Sequence, residues 1–119
     1  MRDFKRLKSW EKAHSLALDV YRATKSFPKE ETYGLIAQMR RAAASVPANV
    51  AEGYGRKGDA ELGRFLSIAA GSACELEYHI LLARDLGYLA EPAYLDLNAG
   101  TCEVKRMLAS FISKLKADC

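Results

Sequence analysis

Glu75 and His79 stand one helical turn apart, the spacing at which a carboxylate and an imidazole can share a metal ion. A di-metal centre in a helical bundle needs two Glu-x-x-His motifs and two further carboxylates. With His14 as the other histidine, the chain offers one imperfect fragment, so no metal or other cofactor is expected. His79 is read as a structural histidine. Cys74, Cys102 and Cys119 are an odd set with no paired spacing. Cys74 and Cys102 fall among helical core positions, and all three are expected to be reduced thiols of a reducing compartment. Arg40 falls near Cys74, but no histidine base accompanies that thiol. Gly53, Gly55 and Gly58 lie between two helices without a preceding strand, which excludes a phosphate loop. No catalytic residue is assigned. A small metal- or thiol-dependent enzyme is the rival from another class.

Phosphate binding is the other chemistry these residues can do. The candidates are Arg40, Arg41, Arg56, Lys57 and Arg64, with an N-terminal group of Arg2, Lys5, Arg6, Lys8 and Lys12 that reads equally as a solvated tail. The net charge is +3, unevenly spread: residues 1–64 carry +5 and residues 65–119 carry −2. That asymmetry fits either a basic surface for RNA or DNA or the pairing of opposite ends of two subunits. No aromatic platform interleaves with the basic residues, so base-specific readout is not expected. Binding would be electrostatic and salt-sensitive.

The segment Gly34–Gly53 reads as one long helix with an unusual polar stripe. Gln38, Arg41, Ser45, Asn49, Glu52 and Arg56 recur at steps of 3, 4, 4, 3 and 4, so they share a face. Leu35, Met39, Ala42, Val46 and Val50 form the opposite face. The stripe is rich in Ser, Asn and Gln and lacks Lys, which a plain solvated face does not favour. A solvated face and a site or interface both remain open. A second apolar band, Ile36, Ala43, Ala44 and Ala51, exceeds what one core needs and points to homo-oligomerisation.

The elements around this helix are also helical, and no segment alternates as a strand does. The expected helices span about 9–26, 29–53, 59–86 and 92–116 in a single domain over residues 1–119. Ser9 is the expected N-cap of the first, and Trp10, Ala13, Ala17, Val20, Thr24 and Phe27 its apolar face. Glu30 and Glu31 suit the positive end of the second, and Pro47 inside it predicts a kink. Gly87 ends the third, with Tyr88 folding back on Leu82 or Ala83. Tyr94, Leu97, Thr101, Val104, Leu108, Phe111 and Leu115 give the fourth an unbroken 3-4 pattern. The fold class is all-α, an up-down-up-down antiparallel four-helix bundle. The apolar runs are too short to cross a bilayer and no signal core follows the basic start, so a cytoplasmic protein without membrane association is expected.

In the second hairpin, residue i falls level with roughly residue 114 − i. That sets Ala42–Ser45 against Ala69–Ser72, two runs of small residues that allow close approach. It also sets Arg40 and Arg41 against Glu75, a pair whose one-sided loss, if buried, would cost about 3–5 kcal/mol. Glu52, Arg56, Glu61 and Arg64 form a second charged group near the turn.

Several of these residues resemble a known family. Gly34-Leu35, Gln38-Met-Arg-Arg-Ala42, Ser45-Val-Pro-Ala-Asn49, Ala51-Glu-Gly53, Arg56, Phe65-Leu66, Ala70-Gly-Ser72 and Glu75-Leu-Glu77 are similar to the intervening-sequence proteins encoded within large-subunit ribosomal RNA genes. That family is related to the accessory variability determinant of diversity-generating retroelements. The resemblance implies a four-helix bundle, a homopentamer, and association with nucleic acid or with a reverse transcriptase or other nucleic-acid enzyme. Its characteristic polar residues fall on Arg40, Arg41, Asn49, Glu52, Arg56, Ser72 and Glu75. It implies no particular reaction.

Overall fold

The computed structural model describes residues 2–117 and contains four long helices: α1 Lys8–Thr24, α2 Leu35–Tyr54, α3 Asp59–Asp85 and α4 Glu91–Ala117. Two short 3₁₀ turns, Phe4–Arg6 and Lys29–Glu31, precede α1 and α2. Among the described residues there is no strand. Each helix packs on its chain neighbour and α4 closes back on α1, giving a bundle of 46 × 22 × 20 Å. No helix among the described residues is long and apolar enough to cross a membrane. Cys119 lies outside the described residues.

The core follows the apolar stripes. Met39, Leu62, Leu66, Leu76, Ile80 and Leu108 are fully buried. On α4 the 3-4 pattern supplies Leu97, Thr101, Val104 and Leu108 to the interior, and the Thr101 hydroxyl donates to the Leu97 carbonyl at 2.7 Å. Buried Thr24 does the same with Val20 at 2.8 Å, so neither hydroxyl is left without a partner.

Helix ends follow local chemistry. Gly87 adopts φ 80°; its N–H reaches the Arg84 carbonyl and the Tyr88 N–H reaches Ala83, a Schellman ending for α3. Ser9 does not cap α1. Leu7 occupies that position without a side-chain bond, and Ser9 is buried one position inside the helix. The second helix begins at Leu35 rather than near residue 29. The chain first makes the 3₁₀ turn, and Glu31 then accepts the Leu35 N–H at 3.2 Å and the Tyr88 hydroxyl at 2.9 Å. One carboxylate thus serves both an orphan N–H of α2 and the turn after α3. That bond holds the Tyr88 phenol above its ordinary pKa.

Along the α2–α3 hairpin, Gly53 lies against Leu62 and Phe65, Ser45 against Ser72, and Arg41 against Glu75. Ser45 thus meets Ser72 and not Ala69, three residues beyond the 114 − i register. The cause is the tilt of every Cα–Cβ bond toward its own helix N-terminus. On α2 that direction leads away from the turn, and on α3 it leads toward it. Side chains therefore meet partners of higher number than backbones do. Ala42, Ala69 and Ala73 are fully buried, and small side chains at these positions let the two helices come close.

Candidate nucleic-acid interface

The C-terminal end of α2, the turn after it and the first two turns of α3 gather Arg56, Lys57 and Arg64. Arg56 donates to Glu52 at 2.8 Å and Arg64 to Glu61 at 3.0 Å. Both guanidinium groups lie on the ring of buried Phe65, at 5.1 and 4.4 Å from its centroid. The ring and the two carboxylates fix the planes while leaving the groups exposed. The Arg64 guanidinium holds the Glu61 carboxyl below its usual range, and Arg64 itself is raised in return. Lys57 is exposed in the turn.

Arg2 joins this end from the start of the chain. Its Nε donates to the Tyr54 carbonyl at 3.1 Å and its Nη2 to the Arg56 carbonyl at 3.2 Å. The guanidinium also covers the Tyr54 ring at 4.4 Å. A cation here meets the negative end of α2 and carbonyls with no helical donor. Nothing in the sequence links Arg2 to Tyr54, 52 positions away. Beside them, Arg64 and Lys116 share a shallow cleft of about 300 Å³ with Asp59, so α4 adds a further cation.

Arg40 and Arg41 belong elsewhere. Arg41 and Arg56 are fifteen positions apart, almost all of them in α2, which is about 22 Å along the axis. Arg40 turns to α1, donating to the Thr24 hydroxyl at 2.9 Å and the Tyr21 carbonyl at 3.3 Å, with its guanidinium 4.8 Å over the Tyr21 ring. Arg41, and not Arg40, faces Glu75, at 3.7 Å. Their side chains are 71% and 43% exposed, so the large cost expected of a buried pair does not apply. Glu75→Gln and Glu91→Gln are accordingly expected to melt within a degree or two of each other, since an exposed pair contributes about 0–1 kcal/mol. A drop of 3 kcal/mol for Glu75→Gln alone in urea unfolding would refute that.

In the middle of the polar stripe, Ser45 and Asn49 are half-buried and bonded within the chain. The Asn49 amide donates to the Ser45 carbonyl at 2.8 Å and to its hydroxyl at 3.0 Å, and Ser45 shares a 2.8 Å bond with Ser72. Gln38 is exposed and lines a cleft with Tyr78 and His79. His79 is buried, 3.9 Å from Glu75, and its Nδ1 has no hydrogen-bond partner. Among the described residues no three His, Cys, Asp or Glu side chains converge as a metal site would require.

Of the cysteines, Cys74 is exposed, contrary to its expected core position, and Cys102 is half-buried; both are free thiols. Cys102 donates to Glu77 at 3.6 Å, and Lys105 meets the other oxygen of that carboxylate at 2.6 Å. The Lys105 bond holds Glu77 below its ordinary value of 4.5, and Lys105 is raised. A depressed carboxylate stabilises the fold above its unfolded pKa and loses that contribution as pH falls through the folded value. Glu77→Gln is therefore expected to cost about 0.5–1 kcal/mol at pH 7. Urea titrations should show the gap closing below pH 4.5, the ordinary value from which Glu77 is depressed. A pH-independent gap would show that the pair contributes by packing alone.

These features define an all-helical bundle whose basic end is ordered by aromatic rings and whose polar stripe knits α2 to α3. Residues 5–110 match the 23S rRNA-intervening sequence protein family, and the chain belongs to that family. A crystal structure of a protein of unknown function from the S23 ribosomal protein family of Bacteroides thetaiotaomicron is similar in fold. It superposes with a TM-score of 0.79 at 23% identity, over 87% of this chain and 97% of that one. No curated protein matches.

Proposed function

We propose that this protein is a non-enzymatic, homo-oligomeric module that associates with nucleic acid through the α2–α3 hairpin end. The observation that carries the reading is the gathering of Arg2, Arg56, Lys57 and Arg64 at one end, three of their guanidinium groups held on aromatic rings. Pre-oriented guanidinium planes suit phosphate, and their lost side-chain entropy is partly spent before binding. The first turn of α3 has no side-chain cap and points its N–H groups to the same end.

The helices form an up-down-up-down antiparallel bundle, and the family resemblance favours five subunits. Several copies of the basic end then act together, so weak single contacts add by avidity. The partner is RNA or DNA, or a nucleic-acid enzyme such as a reverse transcriptase that brings it, in the cytoplasm. A pure protein–protein scaffold is the second reading, favoured by Tyr33, which is almost wholly exposed in front of α2.

Filter binding of a labelled single-stranded RNA and a hairpin RNA at low salt tests the proposal. Micromolar, sequence-tolerant retention that falls steeply toward physiological salt is expected. No retention of either RNA refutes it and leaves the scaffold reading. Light scattering after gel filtration tests the assembly, and a monomer mass at micromolar concentration refutes the oligomer.

A further inference from the structure

We propose that the cleft between α3 and α4 at the basic end takes one unpaired base of a bound strand, while the cations around it hold the flanking phosphates. The inference deepens the nucleic-acid reading of the same end and rests on it.

Asp59, Gly63 and Ser67 follow one another at steps of four, so they share a face of α3. Across an open cleft of about 300 Å³ that face meets Ile112 and Leu115 of α4. Both side chains are half-buried against the core, and their remaining surface gives the cleft an aliphatic wall. Gly63 is central to it. No atom lies within 4 Å of a Cβ built there, although α3 continues through this position. Glycine inside a helix is destabilising, and here no turn, positive φ or close approach of the fold uses it. Any side chain at Gly63 would enter the open space of the cleft. The fold does not need a glycine at this position, and the cleft does.

The rim of this aliphatic cleft is charged. Arg64, its guanidinium 4.4 Å from the Phe65 centroid, lines it from α3, and Lys116 lines it from α4. Arg56 lies on the same Phe65 ring, and Lys57 follows it in the turn. A ligand that suits both parts carries an apolar plate tied to phosphates, which describes a nucleotide. Because these cations are the ones that hold a strand's phosphates, the occupant is a base of that strand and not a separate acidic peptide. The Asp59 carboxylate also lines the cleft. It repels phosphate but accepts from an N–H, and every base carries an N–H on its pairing edge. The phosphates therefore belong on the Arg64 and Lys116 side and the base edge on the Asp59 side. Paired bases inside a duplex cannot enter, whereas those of single strands and loops can. An aliphatic wall buries any base face, so the contact is tolerant of sequence.

The test compares two labelled DNA strands of equal length and charge, each short enough to reach a single basic end. One is oligothymidylate, and the other carries tetrahydrofuran abasic units throughout. By fluorescence anisotropy at low salt, wild type is expected to bind the base-bearing strand about 5-fold more tightly, the low end for a stacked base because the wall is aliphatic. Gly63→Leu fills the cleft and should lower that affinity to the abasic level, with abasic binding unchanged. Circular dichroism verifies folding, and Ser67→Leu replaces Gly63→Leu should that variant not fold. Equal binding of both strands by wild type overturns the base pocket, keeps the phosphate contacts and leaves the cleft to an acidic peptide. A preference that survives in the folded variant moves the base elsewhere and overturns the assignment of the cleft. No binding of either strand overturns the nucleic-acid reading and this inference with it.

Discussion

Gly53→Val is expected to destabilise the domain by about 1–3 kcal/mol, the usual cost of overpacking a filled interior. Gly53 is buried in the last turn of α2, where an added Cβ would lie 2.7 Å from Phe65 Cβ and 3.2 Å from Leu62 Cδ1. Both neighbours belong to α3, and Phe65 Cβ is fixed to its backbone, so the helices must separate to relieve the contact. Phe65 also carries the guanidinium groups of Arg56 and Arg64, and separation would disturb them. Gly63→Ala is the matched control. No atom lies within 4 Å of a Cβ there, and alanine should gain about 0.5–1 kcal/mol through helix propensity alone. Urea unfolding at equal protein concentrations should therefore give opposite signs. A Gly53→Val domain as stable as wild type would mean that the two helices do not approach as closely as this contact requires.

Gly53 also marks where sequence reasoning reaches its limit. The glycine-rich run from 53 to 58 announces a turn, and the turn is there, yet Gly53 itself is helical and buried. Its small size serves a contact with residues nine and twelve positions away, which no local pattern records. Periodicity made the helices, the apolar stripes and the α2–α3 small-residue contact readable, because burial repeats with the helical period. The start of α2 was not readable. Glu31 acts through its side chain on Leu35 and Tyr88, and the latter is 57 residues distant.

The basic site was half legible for the same reason. Arg56, Lys57 and Arg64 are close in the chain and adjoin one turn, so sequence brings them together. Arg40 and Arg41 are adjacent in sequence, but a step of about 100° around a helix sends neighbours to different faces. Arg40 therefore ties α1 to α2 through Thr24 and Tyr21, and Arg41 faces α3. Aromatic residues enter this site as supports. Phe65 carries the guanidinium groups of both Arg56 and Arg64 and is itself buried, so it is not an exposed platform for a base. The proposed interface thus engages phosphates through guanidinium groups.

Replacing Arg56, Lys57 and Arg64 together by alanine is expected to lower RNA affinity about 100-fold at low salt, with the oligomer unchanged. Each cation that neutralises a phosphate releases counterions, and for single strands the slope of log K against log salt is about −0.7 per contact. Losing three contacts should flatten that slope by about 2 for each engaged end. Fold and assembly are spared because all three side chains are exposed at the hairpin end. Arg41→Ala is the control. It was a candidate from sequence, but it stands about 22 Å from that end and is mostly exposed. Its loss is expected to change affinity less than twofold and stability by less than about 1 kcal/mol. Fluorescence anisotropy of a labelled single-stranded RNA across a salt series separates the cases. An unchanged slope in the triple variant would move the contact away from the hairpin end, and a stronger effect of Arg41→Ala would place it on the α2–α3 seam.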